Sequence, residues 1–163
     1  MSRRRAQLVV EVQSSVRRDV PTAPRLALWA RAAAGARGHG AELALRVVGM
    51  AAGRHLNQRW RGRDYPTNVL SFPAPPQARG GSAARSLGDL VICAPVVARE
   101  ARQQGKRPEH HWAHLVIHGT LHLLGHDHQS DGEALRMERL ERRLLARFNI
   151  ADPYRVTSSS SEH

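Results

Sequence analysis

The run from His114 to His128, HLVIHGTLHLLGHDH, constrains the fold more than any other part of the chain. Seven of the ten histidines lie between His110 and His128. His118 and His122 are one helical turn apart, so a helix projects both imidazoles from one face. Gly125 follows, and glycine readily ends a helix in a left-handed turn. Such a turn would swing His128 back toward the pair. Three imidazoles converging on one point, with a fourth position open, hold a catalytic rather than a structural zinc. Two histidines at this spacing alone would also suit ordinary core-facing residues. The glycine and the third histidine single out metal binding.

The spacing His118-x3-His122-x2-Gly125-x2-His128 matches the extended zinc-peptidase signature H-E-x-x-H-x-x-G-x-x-H except at one place. Peptide hydrolysis needs a glutamate after the first histidine to activate water, and here that residue is Gly119. The spacing therefore predicts a metal site without the peptidase's base. A zinc with one open position can also polarise a phosphoryl oxygen, or lower the pKa of bound water to about 7. Phosphodiester cleavage would further need a cation for the crowded, anionic transition state. Arginine suits that task because its fork engages two phosphate oxygens.

Charge points the same way. Lys and Arg number 25 against 14 Asp and Glu, a formal net charge of +11. That surplus suggests an anionic partner, nucleic acid before an acidic membrane surface. Arginine supplies nearly all of it, with Lys106 the single lysine, which also fits the codon bias of a GC-rich genome. Cys93 is the only cysteine, so no intrachain disulfide can form and no thiolate zinc site can be built. A reducing, cytoplasmic setting follows as the expectation. The apolar run Leu8 to Val12 is broken by Glu11 and is too short for a signal peptide. No stretch has membrane-spanning length, so no membrane partner is expected.

Along the chain, Leu8–Val12 reads as a strand and Arg25–Ala34 as a helix ended by Gly35 and the Gly38–Gly40 loop. Glu42–Val48 alternates Leu43, Leu45 and Val47 with more polar residues, as a half-buried strand does. Met50–Arg61 reads as a helix carrying Leu56 and Trp60. Val69–Phe72 and Leu87–Cys93 read as strands, separated by a loop over Ala74–Arg85. A helix to Gln104 starts around Pro95, and Pro108 opens the histidine helix. Asp131–Phe148 reads as a last helix with Leu135, Leu140, Leu144 and Phe148 on one face. The predicted fold class is α+β: a small mixed sheet of about four strands packed with about five helices, the histidine helix central. Residues 1–156 form a single domain, and the Ser-rich tail, 157–163, is expected to be disordered.

Arg61 lies in Leu56-Asn57-Gln58-Arg59-Trp60-Arg61-Gly62-Arg63-Asp64-Tyr65-Pro66-Thr67-Asn68-Val69-Leu70-Ser71-Phe72. Together with Gly88-Asp89-Leu90-Val91-Ile92-Cys93 and His118 to His128, this stretch resembles the YbeY family of bacterial ribosomal RNA maturation factors, from about Leu43 to Tyr154. The resemblance implies a metal-dependent hydrolase domain: a zinc-dependent, single-strand-specific endoribonuclease. Its implied role is ribosomal RNA processing, notably at the 3′ end of 16S rRNA, and ribosome quality control. It also implies one Zn2+ held by His118, His122 and His128, and a functional arginine at Arg61, which follows the aromatic Trp60. The implied partners are single-stranded RNA, small-subunit components and an assembly GTPase, with no DNA. Two positions depart from the family pattern, His126 where a tyrosine is common and Gly49 where many members carry an acid.

Other residues are open to two readings. His114, His126 and Asp127 could brace a metal ligand or touch substrate, and Asp89 could orient a ligand by accepting an imidazole N–H. A turn role suits Asp127 equally well. Arg59 and Arg63 are phosphate contacts or simply solvated charges. Cys93 suits the core. Two other functions compete: an RNA-binding assembly factor with a structural zinc, and another zinc hydrolase, against which Gly119 argues.

Overall fold

The computed structural model describes residues 6–75, 85–126 and 129–154. Among these, four strands form one mixed sheet: β1 (Val9–Ser14), β2 (Ala41–Val48), β3 (Val69–Pro73) and β4 (Arg85–Cys93). Five α-helices accompany it: α1 (Ala23–Ala34), α2 (Met50–Arg61), α3 (Ala94–Gln104), α4 (Pro108–Leu123) and α5 (Asp131–Ala146). The strand order is β1-β2-β4-β3. The first three are mutually parallel, and β3 runs antiparallel to β4 at the edge. The α+β class and the central histidine helix agree with the sequence reading.

Local chemistry explains the boundaries. Prolines sit in the first turns of α1, α3 and α4, where a missing N–H costs nothing. Ser130 caps α5 by accepting the Glu133 N–H at 3.2 Å, a cap of about 1 kcal/mol. The helix after it differs from expectation. Its buried stripe is Met137, Glu141, Leu144 and Leu145, with Leu140 partly buried, whereas Leu135 is 50 % exposed and Phe148 lies beyond the last turn. Leu135 falls off the phase set by Met137 and Leu144, so counting leucines alone misplaced that face. Of the expected Ala74–Arg85 loop, residues 76–84 lie outside the described residues, as does the tail, and Arg85 already opens β4.

The sheet packs unequally on its two faces. Leu43, Leu45, Val47, Leu90 and Ile92 join Leu26 and Trp29 of α1 and Val116, Ile117 and Leu121 of α4 in one aliphatic core. Each fully buried leucine or isoleucine there stabilises the fold by roughly 1.5–3 kcal/mol. On the opposite face, Val48, Leu70, Val91, Cys93 and Val96 form a smaller cluster with Leu56 and Phe72 against it. Cys93 is buried and burial pushes its thiol up, consistent with a core role.

Two glycines let the β3 edge come close to its neighbours. Gly88 has φ +125°, and a Cβ there would lie 2.2 Å from the Phe72 carbonyl oxygen. Leu87 is passed over in the β2–β4 register, a bulge just before that glycine. Gly119 brings α4 against the sheet: a Cβ would lie 2.7 Å from Leu90 Cδ2 and 3.3 Å from both Ser71 Oγ and Val69 Cγ2. Leu90 is fully buried and cannot swing clear.

A polar knot fixes the start of β3. Glu100 of α3 accepts from Asn68 Nδ2 at 3.0 Å and from His111 Nε2 at 2.9 Å, while Asn68 Oδ1 accepts the Val69 N–H at 2.6 Å. Burial alone would raise the Glu100 carboxyl, but the His111 and Asn68 hydrogen bonds outweigh it and hold the group below its usual range.

Gly119→Ala should cost about 1–3 kcal/mol by overpacking, read from urea unfolding, and Gly119→Glu should not yield folded protein. Removing Glu100 as Ala leaves the buried His111 donor and the half-buried Asn68 donor unpaired and should cost about 1–3 kcal/mol. Because its folded pKa is depressed, the Glu100 contribution is complete above the ordinary value of 4.5 and is lost as pH falls through the lowered one. The stability gap between wild type and Glu100→Gln should therefore shrink on acidification from pH ~7 to ~3.

Candidate active site

Histidines recur once per turn along α4. The His114 and His118 ring centroids are 6.0 Å apart and those of His118 and His122 are 4.8 Å apart. The helix ends as its glycine predicts. Gly125 has φ +97°, its N–H donates to the His122 carbonyl at 3.0 Å, and the His126 N–H donates to the Leu121 carbonyl at 3.0 Å. This double closure satisfies two terminal carbonyls and turns the chain back along the helix. His126 accordingly joins His118 and His122 in lining one cavity. His128, which the sequence offered as a metal ligand, and Asp127, offered as a brace for a ligand or a substrate contact, lie outside the described residues.

The cavity, about 590 Å3, opens at the β3 edge of the sheet. Asn68, Val69, Ser71 and Pro73 form one wall, and Arg61 at the end of α2 reaches in from another side. The sequence-predicted arginine and two of the predicted ligands therefore share one space. Arg61 owes its position to a tightly braced turn. Gly62 ends α2 in the left-handed region at φ 69°, and buried Asn57 donates from Nδ2 to the Tyr65 carbonyl at 2.6 Å. Arg54 grips Asp64 at 2.7 and 2.8 Å, and Arg63 donates to the Tyr65 hydroxyl at 2.8 Å. Arg63 is thus partly structural, a use the charge count did not reveal.

Gly119 settles the peptidase comparison sterically. Its α-carbon faces Leu90, Val69 and Ser71, and Ser71 Oγ donates to the Gly119 carbonyl at 3.3 Å. There is no room at this position for the carboxylate that peptide hydrolysis requires.

The residue that sequence reading missed is Glu141. Its side chain is 0 % exposed on α5, yet it accepts from His118 Nδ1 at 2.5 Å, from His114 Nε2 at 3.1 Å and from the Tyr154 hydroxyl. Burial alone would raise its pKa, but the hydrogen bonds from His114, His118 and Tyr154 outweigh it and bring it to about 2. A carboxylate can only accept, so His118 donates its Nδ1 proton and, as a neutral ring, carries its lone pair on Nε2. That is how an outer carboxylate orients an imidazole ligand. Burial pushes the His114 imidazole down against the raising influence of Glu141. Tyr154 is pushed well above the usual tyrosine range, by burial and then by its bond to Glu141.

His114, His118 and Glu141 present ligand atoms within 4.8 Å of one another, a donor set able to hold a metal ion. A signal for Glu141 was present in the sequence: it occupies the buried phase of α5 between Met137 and Leu144, where an unpaired acid would not survive. Asp89, the acid suggested instead, is exposed, pairs in register with Phe72 and bonds to no histidine among the described residues.

Comparison with known proteins agrees with this geometry. The family model described as endoribonuclease YbeY matches residues 16–149. An endoribonuclease YbeY of Alkalilimnicola ehrlichii is 57 % identical over 155 residues, covering 91 % of this chain and 92 % of the relative. That of Halorhodospira halophila is 49 % identical over 150 residues, covering 91 % and 97 %. A solution structure from Thermotoga maritima shares the fold, with TM-score 0.58 at 21 % identity over 90 % of this chain and 99 % of that one. With the histidine helix, the Arg61 turn and the matched span coinciding, the chain belongs to the endoribonuclease YbeY family.

Proposed function

We propose that the chain is a zinc-dependent endoribonuclease that cleaves single-stranded RNA during ribosomal RNA maturation, including the 3′ end of 16S rRNA. The observation that carries this reading is the convergence of Arg61, His118 and His122 on one cavity. His118, His122 and His128 would hold the metal. The donor chemistry fits: imidazoles without thiolates, one of them already oriented by a buried carboxylate. When bound, zinc supplies Lewis acidity toward a phosphoryl oxygen or water. Arg61 binds the scissile phosphate and offsets the charge that develops on it. Glu141 holds the His118 ring and its proton at Nδ1. His114, committed to Glu141 and Tyr154, serves that support rather than the substrate, and His126 contributes to the cavity wall. A formal charge of +11 supports salt-dependent affinity for RNA. Small-subunit components and an assembly GTPase belong to the same reading, as do a cytoplasmic setting and a part in ribosome quality control. Among the described residues, no helix is long and apolar enough to cross a membrane.

A second reading has one observation in its favour. A metal held by His114, His118 and Glu141 would be half-buried between α4 and α5, and a structural ion there suits an RNA-binding assembly factor with incidental nuclease activity.

Cleavage of a labelled single-stranded rRNA fragment, read with metal content, separates these readings. His118→Ala should lose both zinc and cleavage; an active variant with full zinc would remove the site. Arg61→Ala should keep zinc and the fold while cleavage falls about 100- to 1000-fold, the usual loss of a transition-state donor. Glu141→Gln should still bind zinc but about 10- to 100-fold more weakly, measured by chelator competition. His114→Ala should retain stoichiometric zinc, whereas loss of the metal in that variant would favour the structural site.

A further inference from the structure

We propose that Trp60 is a stacking platform for an unpaired RNA base flanking the phosphate bound at Arg61, an assignment that rests on the ribonuclease reading and gives its strand preference a physical cause. The chain has three tryptophans. Trp29 and Trp112 are core residues, 2 % and 1 % exposed, while Trp60 is 60 % exposed. Its position in α2 makes that exposure unexpected. Gly53 and Asn57 are buried and Leu56 is partly buried, and Trp60 follows three and four residues on, at the inward phase. The sheet below runs out at β3, however, and among the described residues the indole's one aromatic contact is Phe72, edge-on at 5.9 Å and 66°. Folding does not need so large an apolar side chain there. Tyr65, also exposed, differs in that its hydroxyl is used by Arg63.

The surroundings select the occupant. Arg59 lies over the indole at 5.5 Å from the ring centroid, and the adjacent Arg61 enters the cavity. The nearest acid in sequence, Asp64, is neutralised by Arg54. An aromatic face set among arginines is how proteins hold single-stranded nucleic acid without reading its sequence. Successive helix residues diverge by about 100°, so Trp60 and Arg61 straddle the edge strand, with Trp60 beside Phe72 on one face and Arg61 in the cavity on the other. A strand crossing that edge would place its phosphate at Arg61 and lay a neighbouring base on the indole, displacing the exposed Arg59 toward the backbone. Paired bases are stacked in a helix and cannot make this contact, so the platform selects single strands.

The test uses the full chain with zinc and a short single-stranded RNA. Because the other two indoles are buried, RNA should quench the emission of Trp60, and that quenching should vanish in Trp60→Leu. Affinity should fall about tenfold in Trp60→Leu, within the usual range for one stacked base, and Trp60→Phe should recover most of it. An oligonucleotide lacking the flanking base should bind wild type and Trp60→Leu alike. Wild-type emission unchanged by bound RNA, or a Leu variant with wild-type affinity and cleavage, would overturn the platform while leaving the nuclease reading intact. Normal quenching and weakened Leu-variant binding in a protein that never cleaves would overturn the nuclease reading and leave the platform standing. Unchanged RNA affinity with lost binding to a ribosomal protein would reassign the indole to a protein partner and reject the proposal.

Discussion

A buried carboxylate with three donors joins the parts of this molecule that must stay in register. Glu141 on α5 takes hydrogen bonds from His114 and His118 on α4 and from Tyr154 in the turn beyond α5. A charge without water is tolerable only when fully satisfied, and removing any one donor leaves part of it uncompensated. The arrangement therefore resists small slips of α5 along α4. Tyr154 is itself held: Asp152 Oδ1 accepts its N–H at 2.8 Å, and Arg142 pairs with Asp152 at 2.8 Å while lying over the phenol ring. The consequence for the site is angular. The His118 ring is fixed about its own bonds before any ligand arrives, which reduces the ordering that binding would otherwise require.

The opposite wall of the cavity is positioned by different physics. β3 is a short edge strand, anchored at its start by the Asn68–Glu100–His111 knot and pressed against α4 through the absence of a side chain at Gly119. Hydrogen bonds fix its register while close packing fixes its distance. Arg61 needs both, because it enters the shared cavity from α2, beyond this strand, rather than from the histidines' own helix. The site is thus assembled from three segments, each braced independently.

Much of this could be read from residue order. The histidine spacing announced a helix face, Gly125 announced its termination, and both are present with the hydrogen bonds that the chemistry requires. Strand alternation placed Leu43, Leu45 and Val47 inward, as found. Arg61 was legible only through resemblance, since nothing in its spacing from His118 says that the two meet. Glu141 was harder still. Its partners lie 23 and 27 residues away in sequence, and a lone acid on an amphipathic helix looks like surface until the phase of the stripe is settled by Met137 rather than Leu135. The glycine at 119 was read correctly as a missing base, but its reason is a distance between helix and sheet, which one-dimensional spacing does not encode.

That distance separates two reaction classes that share a metal motif. Replacing Gly119 with an acid would have to move α4 away from β3, and the same displacement would carry His118 and His122 from Arg61. A side chain at 119 and the present closeness of α4 to β3 therefore exclude one another while Leu90 keeps its size. A larger residue at 119 would need a smaller one at 90, so these two positions are coupled by volume and would have to change together.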